Sequence, residues 1–242
     1  MGDYMILHTN ITGEGELLVL LHSGGMTGLT EYEEQSDYFT ARNYKVIRPD
    51  LRGHGKSDGK IDNFFIRSIK DLNDTLEYLK IKKCHIAGVS LGGVVALLFA
   101  KKYPEKVKSL SFSGIFPVTP ENWDELLREE ASHFEELFHN EEAVMFLNEI
   151  HGDNDWKSLL QSFNADDFYP FEETGDVADL KMPTLCLVGE KQELEVASAL
   201  TYKQLNSNIS IAVIPFAGHL VHRVQPELYS ETLNIFFKEQ NA

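Results

Sequence analysis

The chain has 242 residues, 43% of them hydrophobic and 25% charged, a size and composition typical of one globular domain with a sizeable core. Its net charge of −16 argues against nucleic acid and anionic membranes as partners. No apolar run approaches the ~20 residues of a membrane span, and the first residues lack the basic and apolar regions of a signal peptide. We therefore expect a soluble, cytoplasmic protein whose two cysteines, Cys84 and Cys186, are reduced core thiols.

The negative charge is concentrated in one segment. Residues 121–179 contain 18 Asp and Glu side chains against only Arg128 and Lys157, whereas the rest of the chain balances 20 acidic with 20 basic residues. A solvated acidic surface that aids solubility accounts for most of this excess. The segment should also disfavour substrates that carry a carboxylate or phosphate.

Short apolar runs alternate with amphipathic segments along most of the chain. The expected strands lie at residues 4–11, 16–21, 44–48, 83–87, 107–112, 184–189 and 209–214. The expected helices lie at residues 30–42, 64–80, 91–103, 197–204 and 226–238. Strand–helix alternation predicts an α/β fold with a doubly wound, mostly parallel sheet of about seven strands and helices on both faces.

The alternation stops between residues 115 and 178, where the pattern is helical and contains no convincing strand. We expect residues 115–178 to form a helical lid, inserted after the sixth strand, over a core made of residues 1–114 and 179–242. The aromatic side chains of this segment should mostly form the core of the lid, with one or two lining a substrate pocket: Trp123, Phe134, Phe138, Phe146, Trp156 and Phe163.

The stretch Gly88-Val89-Ser90-Leu91-Gly92-Gly93 stands between an apolar strand and an apolar helix. A serine at the tip of such a strained turn is exposed to attack a carbonyl, and the flanking glycines leave room for the turn. The helix that begins at Leu91 directs backbone N–H groups and the positive end of its dipole at the same place. An idle serine in a glycine-rich turn is the alternative, which the strand–turn–helix context makes less probable.

Several polar groups follow predicted strands and should therefore meet at the carboxyl edge of the sheet, where such folds bind ligands. They are residues 22–25, Ser90, residues 189–193 and His219. His22 and His54 are interpreted as structural hydrogen-bonding residues. The chain lacks a P-loop and a dinucleotide fingerprint, so no cofactor is expected, and His8, His85, His133, His139 and His151 show no metal-ligand spacing.

Four motifs in this order resemble the α/β-hydrolase superfamily, in particular its small, lidded serine esterases: residues 22–25, 52–57, 88–93 and 218–219. The resemblance spans nearly the whole chain, although only one strand fits before Leu17 where the family has two. It implies Ser90 as nucleophile and His219, rather than the nearby His222, as general base. It also implies an oxyanion hole made by the backbone N–H groups of Gly24 and Leu91.

The acid of the catalytic triad is the irregular part of this resemblance. Gln192 occupies the position where the family usually has an aspartate, and the family's other acid position holds Ser113-Gly114. We expect Glu190 or Glu193 to supply the carboxylate. A weaker dyad in which Gln192 only orients His219, and an inactive site, remain as alternatives.

The sequence therefore predicts a carboxylesterase-like serine hydrolase that cleaves a small, fairly apolar ester through an acyl-enzyme on Ser90. Lactone, thioester and carbon–carbon hydrolysis use the same residues and stay open. A hypothesis of a different class is a ligand-binding or signalling protein that keeps the fold without turnover. The expected partner is a small-molecule ester, and the protein is expected to be a monomer or homodimer.

Overall fold

The computed structural model describes residues 4–239, which contain one seven-stranded sheet. Its strands stand in the order β1-β3-β2-β4-β5-β6-β7, and all neighbours are parallel except the antiparallel pair β1–β3. The expected α/β sheet of about seven mostly parallel strands is confirmed. The strands are β1 (Thr9–Thr12), β2 (Glu16–Leu21), β3 (Tyr44–Pro49), β4 (Cys84–Val89), β5 (Val107–Ser113), β6 (Thr184–Gly189) and β7 (Ile209–Ile214).

Helices cover both faces of the sheet, because successive side chains of each strand point to opposite sides. Val19 and Leu21 of β2 belong to one buried apolar cluster, and Leu18 and Leu20 belong to the other. The helices are α1 (Gly28–Glu31), α2 (Glu33–Thr40), α3 (Phe64–Tyr78), α4 (Leu91–Lys102), α5 (Trp123–His139), α6 (Glu141–His151), α7 (Trp156–Ser162), α8 (Phe171–Gly175), α9 (Glu193–Leu205), α10 (Val221–Val224) and α11 (Pro226–Glu239).

Two element boundaries differ from the sequence-based expectation. The helix expected over residues 30–42 is two short helices, because Tyr32 leaves the helical conformation (φ −120°, ψ 40°) and its buried hydroxyl donates to the Leu21 carbonyl. The helix expected from residue 197 begins four residues earlier, at Glu193. This second shift moves several acidic side chains from a loop onto a helix.

Residues 115–178 contain α5–α8, so the expected helical insert is present between β5 and β6. It follows the fifth strand of the described residues, and the expectation that it would follow the sixth is wrong, because a single strand precedes β2 there. Hydrogen bonds tie the region of α8 to the first residues of this segment, just after β5. Tyr169 and Thr174 both donate hydroxyl hydrogens to the Phe116 carbonyl.

The glycine-rich loop after β3 is held to α3 by a buried ion pair. The Arg52 guanidinium donates two parallel hydrogen bonds to Asp71, at 2.7 and 2.8 Å, and both side chains are almost fully buried. This fork geometry fixes the loop that also carries His54.

We expect Asp71→Asn to lower the free energy of unfolding by about 3 kcal/mol, because it leaves the buried Arg52 cation without a counter-charge. Urea unfolding followed by circular dichroism measures this. Asp62→Asn is the matched control: Asp62 pairs with Arg67 at the surface, so its loss should cost less than about 1 kcal/mol. Equal losses in the two variants would contradict the prediction.

Candidate active site

Ser90 lies at the turn between β4 and α4 in a strained conformation. Its φ of 52° and ψ of −120° are rare for a residue with a side chain. The turn is closely packed: a Cβ on Gly92 would lie 2.2 Å from the Leu21 carbonyl oxygen, and one on Gly88 would lie 2.2 Å from that of Gly92. Hydrogen bonding holds the strained residue in place, because the Ser90 N–H donates to Ser113 at 2.8 Å.

The two residues expected to form the oxyanion hole, Gly24 and Leu91, line the same cavity as Ser90. Leu91 is the first residue of α4, and the first N–H groups of a helix have no partner within it. A side chain at Gly24 would meet the ring of Phe163, at 2.6 Å from Cβ, so the helical insert packs directly on this turn. Gly24 and the first residue of α4 thus both belong to the wall that Ser90 also lines.

His219 also lines this cavity, and its ring is hydrogen-bonded to a carboxylate. The Nδ1 atom lies 2.5 Å from Glu195 Oε1, and the Glu195 side chain is only 4% exposed. This contact engages Nδ1, so Nε2 is the ring nitrogen free to exchange a proton in the cavity. Gly114 also lies close to the ring, since a Cβ there would lie 2.6 Å from Cε1. That position could not supply an acid.

The carboxylate beside His219 is therefore Glu195, in place of the expected Glu190 or Glu193. Because α9 begins at Glu193, residues 193 and 195 point in directions about 200° apart around the helix axis. Glu193 is consequently exposed, while Glu195 is buried. Glu190 is exposed too and accepts a hydrogen bond from the Phe216 N–H. Gln192 stands at the N-cap position of α9, makes no side-chain capping hydrogen bond there, and lines the cavity.

The sequence does contain a signal for Glu195, but the signal is visible only when the helix is taken to begin at Glu193. The buried residues of α9 are Glu195, Ser198, Ala199 and Tyr202. They have the spacing i, i+3, i+4 and i+7 of one helix face. A carboxylate on such a buried face needs a partner, which here is His219.

Burial disfavours the His219 cation, but the hydrogen bond and charge of Glu195 outweigh this and raise the pKa of His219 above its ordinary value. The more distant carboxylates of Glu130 and Glu31 act in the same direction. The pair has the geometry in which a carboxylate fixes an imidazole tautomer and stabilises its cation.

A second buried carboxylate, Glu31, connects the two loops that carry Gly24 and His219. Glu31 Oε1 accepts from His222 Nε2 at 2.7 Å and from Arg223 Nε at 2.6 Å. Its other oxygen accepts from the Ser23 N–H at 3.1 Å and from the Ser23 hydroxyl. Burial opposes the charge of Glu31, yet these partners lower its pKa to about 2. His222 is thus a structural partner of Glu31.

Three buried histidines brace the turn after Gly24. His22 Nε2 accepts from the Leu51 N–H, and His54 Nε2 accepts from the Gly25 N–H. His151, from the insert, lies 3.0 Å from the Gly25 carbonyl through Nε2 and accepts from the Gly55 N–H through Nδ1. Burial lowers the pKa of all three rings. The interpretation of His22 and His54 as scaffold residues agrees with these bonds.

The cavity has a volume of about 410 Å³, and the helical insert supplies most of its apolar wall. Of the six aromatic residues singled out in the sequence, Trp123, Phe134 and Phe163 line it. Phe138 and Trp156 pack on each other instead, with ring centroids 5.7 Å apart, and Phe146 is 44% exposed. The sequence did not indicate the aromatic residues that complete the wall, Phe65, Phe116, Phe168 and Tyr169.

Comparison with known proteins agrees with this geometry. Residues 16–184 match the family model of the alpha/beta hydrolase fold. The chain belongs to the alpha/beta hydrolase family. Its fold closely resembles NosK from Streptomyces actuosus, with a TM-score of 0.81, 28% identity and coverage of 95% of this chain and 100% of NosK.

The alignments with two curated relatives each cover about half of this chain. A 2-hydroxy-6-oxo-6-phenylhexa-2,4-dienoate hydrolase of Burkholderia cepacia is 34% identical over 112 residues, and the serine hydrolase BPHL of Homo sapiens is 37% identical over 114 residues. Each alignment covers 45% of this chain and 39% of the relative. No helix within residues 4–239 is long and apolar enough to cross a membrane. The same residues contain no group of three His, Cys, Asp or Glu side chains placed to hold a metal ion.

Replacing Glu195 by Gln should lower kcat by roughly 10²- to 10⁴-fold with little change in KM, since the amide cannot stabilise the imidazolium. Because Glu195 raises the pKa of His219, its removal should also shift the acidic limb of the kcat/KM profile to lower pH. Glu193→Gln, two residues away and exposed, is the control and should behave as wild type. An unmoved acidic limb in the Glu195 variant would contradict the assignment.

The low pKa of Glu31 leads to a prediction about how the free energy of unfolding depends on pH. Its folded-state pKa is about 2 against 4.5 for an ordinary glutamate, so the ionised form contributes about 3 kcal/mol above pH 5. This contribution is lost as the pH falls through the window from about 4.5 to 2. The difference in unfolding free energy between wild type and Glu31→Gln should therefore shrink on acidification.

Urea unfolding at pH 6 and at pH 3 measures that difference. Exposed Glu34 on α2 provides the matched control, and Glu34→Gln should differ little from wild type at either pH. A gap between wild type and Glu31→Gln that stays constant over this range would show that Glu31 is not held as a buried anion.

Proposed function

We propose that this protein is a serine hydrolase that cleaves a small, fairly apolar carboxylic ester through an acyl-enzyme on Ser90. The observation that carries the proposal is that one cavity is lined by strained Ser90, by the His219–Glu195 pair, and by Gly24 and Leu91. A nucleophile, a base, its orienting acid and two backbone donors are the parts that acyl transfer requires.

In this mechanism the Ser90 hydroxyl attacks the ester carbonyl while His219 Nε2 takes its proton. The N–H groups of Gly24 and Leu91 stabilise the negative oxygen of the tetrahedral intermediate. The intermediate collapses, and the protonated His219 gives its proton to the departing alcohol. Water then attacks the acyl-enzyme with His219 again as base, which releases the carboxylic acid and restores Ser90. Glu195 stabilises the imidazolium in both halves of the cycle.

The cavity supports the choice of substrate size and polarity. Its volume of about 410 Å³ is near the lower end for ligand sites, and its walls are mainly aromatic and leucine side chains. Because residues 115–178 supply most of those walls, we infer that this insert acts as the lid that shapes the acyl and alcohol pockets over the core.

Carbon–carbon bond hydrolysis is a second candidate, favoured by the name of the Burkholderia cepacia relative. The same nucleophile, base and oxyanion donors would serve it. The dienoate in that relative's name carries a carboxylate, however, and no Lys or Arg is among the described residues that line this cavity. We therefore favour the ester.

Wild-type protein should hydrolyse p-nitrophenyl acetate and butyrate, and Ser90→Ala should lower the rate to background. A fluorophosphonate should add its phosphonyl mass to wild type but not to Ser90→Ala, as intact-protein mass spectrometry measures. Ser207→Ala, an exposed serine far along the chain, is the control and should keep both properties.

Equal, background-level rates in wild type and Ser90→Ala, together with no phosphonate labelling, would overturn the proposal. That result would favour a binding or signalling protein with a hydrolase fold. Labelling of Ser90 without ester turnover would instead point to a different acyl or carbon–carbon substrate.

A further inference from the structure

One carboxylate in the cavity has no part in the mechanism described above. Glu130 lies on α5 and lines the cavity together with four apolar residues of the same helix: Trp123, Leu126, Leu127 and Phe134. Together the five have the spacing i, i+3, i+4, i+7 and i+11, so Glu130 stands in the middle of the helix's apolar stripe. Glu130 is exposed, like its neighbour Glu129, but it belongs to the stripe that lines the cavity rather than to the outer face of α5.

In the described part of the chain, no Lys or Arg side chain of the cavity wall balances the negative charge of Glu130. No salt bridge of the described residues includes it, and no Lys or Arg is among those that line the cavity. With its amide oriented to satisfy both of its polar atoms, Asn164 donates to Glu130 Oε2 at 3.3 Å, a neutral and long contact. Desolvation by the cavity wall raises the pKa of Glu130, against the lowering effect of His219 and His133, although the side chain stays exposed to water. The carboxylate thus lines the cavity without a Lys or Arg partner among the residues described there.

We propose that Glu130 binds a positively charged group of the substrate, so that the natural substrates are small esters carrying an ammonium group. The inference rests on the proposed function for the bond that is cleaved, but the cation site itself stands on the position of Glu130. A substrate ammonium would supply the charge that the protein does not provide. Trp123 and Phe134 line the same wall, and aromatic rings attract cations.

The proposal predicts that this cavity disfavours anionic substrates. A substrate carboxylate would meet Glu130 with like charge and would find no Lys or Arg among the described lining residues. The proposal also differs from a general attraction of cations by the acidic insert. Glu130 alone should account for most of the preference for cationic over neutral esters.

Two ester pairs that differ by one charge test this. Acetylcholine is compared with 3,3-dimethylbutyl acetate, and p-nitrophenyl 6-aminohexanoate with p-nitrophenyl heptanoate, so that a cation is probed on each side of the ester. In at least one pair, wild type should favour the cationic ester in kcat/KM by about tenfold or more. Glu130→Gln should abolish this ratio, whereas Glu129→Gln, an equal loss of charge at a neighbour that does not line the cavity, should keep it.

A binding measurement keeps the test independent of turnover. Ser90→Ala should bind benzylammonium at least about tenfold more tightly than benzyl alcohol by calorimetry, and adding Glu130→Gln should remove the difference. If no ester is cleaved but benzylammonium is still preferred, the proposed function fails and the cation site stands. Equal ratios in wild type, Glu129→Gln and Glu130→Gln, or equal binding of the two benzyl compounds, would overturn the cation site.

Discussion

The buried Glu31 carboxylate is the interaction on which the geometry of the site depends. It accepts hydrogen bonds from Ser23, one residue before Gly24, and from His222 and Arg223, just after His219. Ser23 and His222 are 199 residues apart in the chain, and the Gln35 amide, which donates to the His222 carbonyl, is a second link between these regions. A charge removed from water is tolerated only with such partners, so the carboxylate admits few arrangements of the two loops. Glu31 therefore helps to hold the loop that carries Gly24 in register with the loop that carries His219.

The remaining parts follow from the sheet. Parallel strands end at the same edge, so the residues after β2, β4 and β6 meet without long connections. Ser90 is kept in its strained conformation by close packing at Gly88 and Gly92 and by its hydrogen bond to Ser113. The helical insert then closes the edge with aromatic side chains and contributes one unpaired acid. Backbone elements of the sheet thus position Ser90 and His219, while the insert supplies most of the apolar wall beside them.

Much of this could be predicted from local patterns. The Ser90 turn, Gly24 and the order of strands and helices each depend on a few neighbouring residues whose backbone demands are specific. The carboxylate beside His219 could not be predicted, because α9 begins four residues earlier than the sequence pattern indicates. Glu195 is therefore expected in a loop, although it lies on a buried helix face. Glu31 carries no motif at all. Its role arises from contacts with residues distant in the chain, and such contacts have no local signature in a single sequence.

The hydrogen bonds of His151 restrict how the helical insert can move. This imidazole, at the end of α6, joins the insert to the Gly25 carbonyl and the Gly55 N–H, both buried. Lifting that end of the insert would unpair the turn that follows Gly24 in the same movement. Helix α5 has no buried residue and no comparable tie to that turn. The insert is therefore fixed at the His151 end, and we expect it to move more readily at α5, where none of the described hydrogen bonds to that turn would break.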